Sequence, residues 1–335
     1  MNFERILQVA LAFEPAQTLF AGHRLGIFKA VDEKPLNAAE LGQRCGLAPR
    51  ATVGLADALV ALGFLRKKDG LYSNAEDVSH FLVPGTGKNY LGGLIDYEID
   101  NVYQVWAQTI PAVREDKPVG GLTAWDYMYG DPEACRQLKP VRHALEELYG
   151  DGVARHSGFE NVNHVLAVAD AGRYMFRILA AYPKLRMTIV DGPANFEYIR
   201  EQAKRRGFED RVTFMPCHFV EAEFPKGCDG ALISEIIQNW DDETLIRIFR
   251  RARNVLPPGA PCAVPEFWIN EEKTGPVGST MHNLQMVLRS EKGYHRSDSE
   301  IFRILEQAGF ENMKVSPQFG GQGLPMAVYR ANVPA

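Results

Sequence analysis

Three histidines, His218, His282 and His295, carry side chains whose chemistry can be named directly from the sequence. Imidazole is a common metal ligand, so a site built from all three is one hypothesis. Their spacing gives it no local support, and we expect no metal. The other interpretations are an acid–base role at a ligand pocket, or ordinary histidines in a pocket wall or at the surface.

From His164 onwards the sequence alternates between buried strands and helices, and these elements must position any such site. Helices are expected through Leu179 and Ala180, over 195–206 and around 242–256. The predicted strands are Val165–Ala169, Met187–Asp191, Val212–Met215, Gly230–Ser234 and Cys262–Glu266. This alternation predicts a doubly wound parallel sheet, which binds its ligand at the carboxyl ends of the strands.

Before this region the sequence predicts several helices followed by a short β-hairpin. Asn37 followed by Glu40 three positions later predicts a capping box, and Pro49 suits a first helical position. Leu65–Tyr72 contains two short strands around an Asp-Gly turn. Helix, turn, helix and wing describe a winged-helix module. Its candidate recognition helix over 49–59 has one arginine and mostly small or apolar residues, which favours dimerisation over DNA binding.

Composition excludes several classes of protein. The 335 residues are 46% hydrophobic and 24% charged, which is typical of a soluble globular chain of about two domains. The net charge of −5 shows no excess of basic residues of the kind that binds nucleic acid or anionic lipid. The start of the chain lacks a basic segment followed by an apolar run, and no stretch reaches 18 apolar residues. Five scattered cysteines without a CxxC pair favour a reducing compartment, so we expect a cytoplasmic protein without a membrane span.

Residues 86–158 read as a helical segment rich in aromatic residues. Most of these should pack in the core, but Trp125 and Tyr127 are candidates for a pocket lining. We therefore expect three segments: a winged-helix dimerisation domain over 1–85, a helical linker and substrate-pocket segment over 86–158, and a Rossmann-like domain over 159–335.

Two stretches of the second half resemble motifs of the small-molecule O-methyltransferases of the hydroxyindole and caffeate type. The run Ser234–Glu243 is similar to the family's "LHDWxDE" segment, and Gly293–Ser297 with Glu300 and Ala308–Phe310 is similar to its tail. The resemblance covers nearly the whole chain. It implies a winged-helix domain that forms homodimers, a helical substrate segment and a Rossmann-like domain of the class I methyltransferase type. It also implies S-adenosylmethionine as cofactor and a small, planar or aromatic substrate.

The resemblance also implies where the cofactor would be held. The family's glycine cluster falls on Val168–Gly172, where Gly172 is the last cluster glycine to remain and Asp170 adds a negative charge. Asp191 stands where an acid would hold the ribose hydroxyls. His218 replaces an aspartate near the adenine, and Trp240 retains an adenine-flanking tryptophan. Because the cluster is largely lost, the expected cofactor is either S-adenosylmethionine or none.

The catalytic positions that the resemblance implies are altered as well. Gln238 stands where the family has its general base, a histidine, and an amide cannot act as a base near neutral pH. Glu266 retains the supporting acid, and His295 stands at the position of the second acid. The family's pocket helix falls on Met281–Leu288, and the candidate substrate contacts there are Met281, His282, Asn283 and Met286.

Three functions follow from these changes. The first is a secondary-metabolism enzyme that keeps the methyltransferase scaffold but runs acid–base or rearrangement chemistry, with His295 as acid or base, Glu266 as its partner and Gln238 as a hydrogen-bond donor. The second is a genuine S-adenosylmethionine-dependent O-methyltransferase with a divergent cofactor loop. The third is a non-catalytic dimer partner or ligand sensor.

Overall fold

The computed structural model describes residues 2–85, 90–120, 125–321 and 323–335, with only the backbone at 126 and 127. The chain divides into two compact units, Met1–Tyr103 and Gln104–Ala335. The three-segment division expected from the sequence stays a prediction. In the described residues no helix is long and apolar enough to cross a membrane.

The first unit has the helices and the wing that the sequence predicts. Asn37 accepts hydrogen bonds from the backbone N–H groups of Ala39 and Glu40, while Glu40 accepts one from Asn37, so the capping box is confirmed. The wing strands pair with a short preceding strand in the order β1-β3-β2. The elements are α1 (Phe3–Ala10), α2 (Phe13–Arg24), α3 (Ile27–Ala30), β1 (Leu36–Asn37), α4 (Ala38–Cys45), α5 (Pro49–Ala61), β2 (Leu65–Lys68), β3 (Leu71–Asn74), α6 (Val78–Leu82) and α7 (Gly92–Tyr97).

Helices α8 to α16 accompany the sheet of the second unit, although α8 begins at the last residue of the first unit. A π-helical stretch over Glu98–Val102 precedes α8, and another covers Asp126–Gly130. The helices are α8 (Tyr103–Trp106), α9 (Thr109–Glu115), α10 (Pro132–Gln137), α11 (Lys139–His156), α12 (Met175–Ala181), α13 (Phe196–Arg206), α14 (Asp242–Val255), α15 (Val277–Arg289) and α16 (Asp298–Gln307).

The large sheet has the strand order β6-β5-β4-β7-β8-β10-β9. Its strands are β4 (His164–Val168), β5 (Arg186–Asp191), β6 (Val212–Pro216), β7 (Gly230–Ile233), β8 (Pro261–Phe267), β9 (Glu311–Val315) and β10 (Met326–Asn332). Strands β4 to β8 pair in parallel, as expected. Two further strands, which the sequence did not predict, add an antiparallel edge, because β10 pairs antiparallel with both β8 and β9.

The carboxyl ends of β4, β5, β7 and β8 lie side by side in this sheet, which places the residues that follow them around one edge. Every residue of β7 is buried, as is β4 after His164 and β5 after Arg186. Buried parallel strands of this kind give the residues at their ends a rigid base. The candidate site is built on that edge.

Candidate active site

The loop after β4 has the backbone path of a glycine loop although its residues are mostly not glycine. Ala169, Ala171 and Gly172 all have positive φ, at 57°, 51° and 82°. A side chain in this left-handed region is strained, and glycine is the residue that adopts it freely. Two alanines therefore occupy a conformation that suits glycine, and both are buried.

Asp170 points into the protein from this loop. Its carboxylate accepts hydrogen bonds from the backbone N–H groups of Tyr174 and Met175, at the start of α12, and from the hydroxyl of Ser234. The side chain is fully buried, and this burial raises its pKa. Asp170 thus accepts hydrogen bonds from the free N–H groups at the start of α12 rather than presenting a charge to a ligand.

Arg173 and Glu235 form a buried ion pair beside the same loop. Nη1 of Arg173 lies 2.6 Å from Oε2 of Glu235, and the other guanidinium nitrogens donate to the carbonyl groups of Ala169 and Asp170. The hydroxyl of Tyr174 donates to Oε1 of Glu235. Desolvation opposes the charge of Arg173, but the carboxylate of Glu235 holds its pKa above the usual value.

Asp191, at the end of β5, is held by donors from the protein itself. Oδ2 accepts from the N–H of Ala171 at 2.9 Å, and Oδ1 accepts from the N–H of Gly192 and from Nδ2 of Asn195, both at 2.7 Å. The residue is fully buried, and burial raises its pKa. The carboxylate expected to hold ribose hydroxyls therefore has both oxygens occupied.

Aromatic side chains cover the neighbouring surface. The indole of Trp125 stacks on the imidazole of His218, with centroids 3.6 Å apart and planes 15° apart. Tyr129 is fully buried, packs edge-on against Phe219 and lies beside Arg173. A Cβ atom at Gly192 would come 2.3 Å from the carbonyl oxygen of Tyr129, so the backbone at Tyr129 passes directly over the end of β5.

These residues do not fit S-adenosylmethionine as they stand. Trp125 covers His218, which is the residue expected near an adenine, and Asp191 already accepts three hydrogen bonds from protein donors. Arg173 occupies the carbonyl groups of the loop that would approach the methionine part. The expected cofactor contacts Asp170, Asp191 and His218 are thus brought to one edge of the sheet but are engaged with the protein's own groups. Trp240 lies two residues after Gln238, and its buried indole N–H has no partner among the described residues.

The second half of the site is a pair of histidines. Nδ1 of His282, on α15, lies 2.7 Å from Nε2 of His295, in the segment before α16. The second ring nitrogen of His295, Nδ1, is buried and has no hydrogen-bond partner among the described residues. Burial lowers the pKa of His282 to about 4 and that of His295 well below its usual value. Both rings are therefore neutral at pH 7, and one donates a hydrogen bond to the other.

Glu266 is not the hydrogen-bond partner of His295, which corrects one expectation. Its two carboxylate oxygens accept from the backbone N–H groups of Ile237 and Phe267. Burial, followed by repulsion from Glu235, raises the pKa of Glu266 to about 8. Glu266 instead holds the segment that carries Gln238, whose side-chain oxygen is buried and has no partner among the described residues.

The expected pocket residues lie on α15 and in the region before α10. Oδ1 of Asn283 accepts from the backbone N–H of His295 at 2.7 Å, so Asn283 positions the histidine rather than facing outwards. Met286 is buried, whereas Met281 is 44% exposed. Trp125 lies on the cofactor side, and the side chain of Tyr127 lies outside the described residues.

Arg173, Glu235 and Tyr129 are the site residues that sequence reasoning missed. Arg173 directly follows Gly172, so its place in the loop could have been noted, but its partner is 62 positions away. His282 had been expected only as a pocket contact, and its bond to His295 spans a loop that no local pattern fixes. Across the described ranges, no group of three or more His, Cys, Asp or Glu residues could hold a metal ion. His218 is stacked on Trp125, apart from the histidine pair.

Comparison with known proteins agrees with this fold. The sequence profile of the O-methyltransferase domain matches residues 104–311, and that of the O-methyltransferase dimerisation domain matches residues 7–84. The chain is similar to 3-hydroxy-5-methyl-1-naphthoate 3-O-methyltransferase of Streptomyces sahachiroi, with 26% identity over 92% of this chain and 90% of the relative. It is equally similar, at 26% identity, to the acetylserotonin O-methyltransferase of Mus musculus, over 94% of this chain and 85% of the relative.

Among solved structures, PigF with SAH superposes with a TM-score of 0.87, at 22% identity over 99% of this chain and 100% of PigF. That likeness extends over both units and concerns the fold. The sequence profiles together cover most of the chain, and they match the motifs that the sequence itself displays. This protein therefore belongs to the O-methyltransferase family, with its dimerisation domain followed by its Rossmann-like catalytic domain.

Proposed function

We propose that this protein is an enzyme of small-molecule secondary metabolism that acts on a planar, aromatic substrate by acid–base chemistry at His282 and His295, without transferring a methyl group. The observation that carries the proposal is that the residues around the ends of β4 and β5 are engaged with the protein's own groups: Arg173 pairs with Glu235, Tyr129 is buried and Trp125 stacks on His218. Membership of the O-methyltransferase family supports an enzymatic function. The histidine pair supplies a proton acceptor, which the amide of Gln238 cannot do.

The arrangement of the pair assigns a role to each ring. In the arrangement we assign, Nδ1–H of His282 donates to Nε2 of His295, so a neutral His295 carries its own proton on Nδ1. Nε2 of His282 then has the free lone pair. In this arrangement His282 removes a proton from the substrate, and His295 is a positioning residue that stabilises the imidazolium as it forms.

Unpaired buried polar atoms in the segment after β7 indicate where a substrate would bind. Oε1 of Gln238 and Nε1–H of Trp240 are both buried without partners in the described structure. A buried group in that state costs about 1–3 kcal/mol, which a ligand hydrogen bond would recover. One atom accepts and the other donates, so a hydroxyl-bearing planar ring matches both.

Methyl transfer is the second candidate, and the relatives favour it over the first, because those compared above are methyltransferases by name. The loop also keeps positive φ at Ala169, Ala171 and Gly172, which is a backbone suited to a glycine loop. For this candidate Trp125 and Tyr129 must leave the cleft, and the substrate hydroxyl must be acidic enough to need no histidine at position 238.

Calorimetric titration with S-adenosylmethionine and S-adenosylhomocysteine separates the two candidates, after mass spectrometry has shown that no cofactor co-purifies. We expect no binding at the highest ligand concentrations that can be reached. Binding at micromolar or lower Kd, together with a methylated product from a panel of naphthols and hydroxyindoles, would overturn the proposal and establish methyl transfer. Trp125→Ala is the informative variant, since binding that appears only in this variant identifies the indole as the obstacle.

The acid–base role has its own test. The same aromatic panel is incubated without a methyl donor and analysed by mass spectrometry for products of unchanged or altered mass. Turnover should fall at least about 100-fold in His282→Asn, whereas His80→Asn in the first unit is the matched control and should be unaffected. Equal turnover in wild type and His282→Asn contradicts the assignment.

The first unit supports a further part of the proposal, a homodimer. Helix α1 buries none of its residues within the chain, and Phe3, Ile6 and Val9 are 77%, 56% and 62% exposed. Apolar side chains presented in this way are typical of an association surface. Sedimentation equilibrium should give twice the chain mass, and Phe3→Asp with Ile6→Asp should lower it towards one chain.

A further inference from the structure

A small cavity outside the catalytic site is built around a buried guanidinium. Arg142, on α11, is only 3% exposed, and its Nη2 donates to Oδ1 of Asn195 at 2.6 Å. Its other terminal nitrogen, Nη1, is buried and has no partner among the described residues. An unmade hydrogen bond at a buried charged group is costly, so this nitrogen calls for an acceptor.

The cavity beside Arg142 has the charge and the size for a small anion. Lys139 and Arg142 line it together with the carboxylate of Glu197, and so does Arg136, whose charge is paired with Glu133. Its volume of about 20 Å³ exceeds the roughly 10–15 Å³ that one water-sized occupant needs. A halide is small enough for that volume.

The surroundings of Arg142 leave part of its charge uncompensated. Desolvation, followed by repulsion from Arg173, lowers its pKa, and the carboxylate of Asp191 offsets this only in part. Asp191 is linked through Asn195, whose Nδ2 donates to it at 2.7 Å. Within the described residues Arg142 is therefore buried without a carboxylate in direct contact, which is the situation in which a bound anion stabilises a guanidinium.

We propose that the cavity between α10, α11 and α13 binds one chloride-sized anion through Nη1 of Arg142, with Lys139 contributing charge from its rim. The ring of Tyr198 supports both cations, since Lys139 and Arg142 lie 5.6 and 5.8 Å from its centroid. Arg142 contacts Asn195, and Asn195 in turn contacts Asp191, so the anion is linked to Asp191 through hydrogen bonds. By holding Arg142 in place, the anion fixes the orientation of the Asn195 amide beside the carboxyl end of β5.

The first measurement is the Tm of the full chain in sodium chloride and in sodium gluconate at equal ionic strength. A ligand that binds only the native state raises Tm, so we expect chloride to raise it by about 2 °C or more over gluconate. Lys139→Gln should reduce this difference and Arg142→Gln should abolish it. Arg205→Gln, an exposed residue on α13, is the matched control and should leave it intact.

A second measurement is needed because Arg142→Gln could fail to fold. Crystals of the wild-type protein grown in sodium bromide should show an anomalous peak within about 3.5 Å of Nη1 of Arg142, at the longer end expected for a donor and a large anion. A water at that position in bromide, or equal Tm values in chloride and gluconate, would overturn the proposal. Neither readout involves substrate or methyl donor, so the result is independent of the proposed enzymatic function.

Discussion

Nη1 of Arg173 lies 2.6 Å from Oε2 of Glu235, and the two side chains are only 3% and 2% exposed. A pair buried to this degree loses the hydration of both charges, and the attraction between them compensates only while both are present. Further hydrogen bonds, from Arg173 to two loop carbonyls and from Tyr174 to Glu235, complete the arrangement. The side chains beside the loop after β4 therefore form one network, in which the burial of each charge depends on its partner.

Arg173→Met and Glu235→Gln should each lower the free energy of unfolding by about 3–5 kcal/mol, because each leaves a buried charge without its partner. The double variant should lose clearly less than the sum of the two. Urea unfolding followed by circular dichroism measures all three. As a control, Arg136→Met breaks an exposed pair with Glu133 and should change stability by less than about 1 kcal/mol. Additive losses in the double variant would show that the pair is not coupled.

Ala171→Gly should leave stability unchanged or raise it by up to about 1 kcal/mol. Glycine removes the strain of a side chain at φ 51°, which offsets the loss of one buried methyl group. Ala203→Gly, at a buried position inside α13, should instead lower stability by about 1–2 kcal/mol. Chemical denaturation compares the two. If both variants lose the same amount, the loop alanine is not strained.

Asp170→Ala should lower stability by about 2–4 kcal/mol, since it leaves the first N–H groups of α12 and the hydroxyl of Ser234 buried without an acceptor. The matched change is Asp131→Ala at the start of α10, where the aspartate caps Ala134 but is exposed to solvent. That variant should lose only about 1 kcal/mol. Similar losses in both variants, measured by thermal and urea unfolding, would mean that burial adds nothing to the cap.

The contribution of His282 to stability should fall as the pH drops from about 6.5 to about 4. Its folded pKa of about 4 lies below the ordinary 6.5, so in this range the unfolded chain binds a proton that the folded chain does not. A difference of this size is worth at most on the order of 3 kcal/mol. His282→Asn should flatten the pH dependence of unfolding measured in urea, whereas His80→Asn should preserve it. A pH dependence that is unchanged in His282→Asn contradicts the buried, neutral pair.

Local signals were sufficient for most of the fold. The capping box of α4, the proline at the start of α5 and the apolar runs of β4 to β8 all depend on neighbours a few residues apart, and the structure has these elements within one or two residues of the expected bounds. Strands β9 and β10 lie outside the strand–helix alternation, and the position of β10 depends on pairing with β8, whose partner residues lie 59 to 71 positions earlier. No local pattern specifies such a pairing.

In the candidate site, too, the features that depend on local sequence could be predicted, and those that depend on distant contacts could not. The positions of Asp191, Gln238 and Glu266 followed from strand ends and from a motif, and the structure places them at one edge of the sheet. The partners of these residues could not be predicted, because Arg173 meets Glu235, and His282 meets His295, through contacts between separate elements. Residue type and strand position indicate where chemistry can occur, while the hydrogen bonds that decide it are properties of the packed protein.

The place of β10 between β8 and β9 has a consequence for the order in which this sheet assembles during synthesis. Both β8 and β9 leave the ribosome before the strand that joins them, and in the described sheet β9 has no other neighbour. Until Met326–Asn332 emerges, the outer edge of β8 has unpaired backbone groups in an apolar strand, which is the kind of edge that invites pairing with another chain. Nascent chains that stall before this strand are therefore the form of this protein most exposed to aggregation.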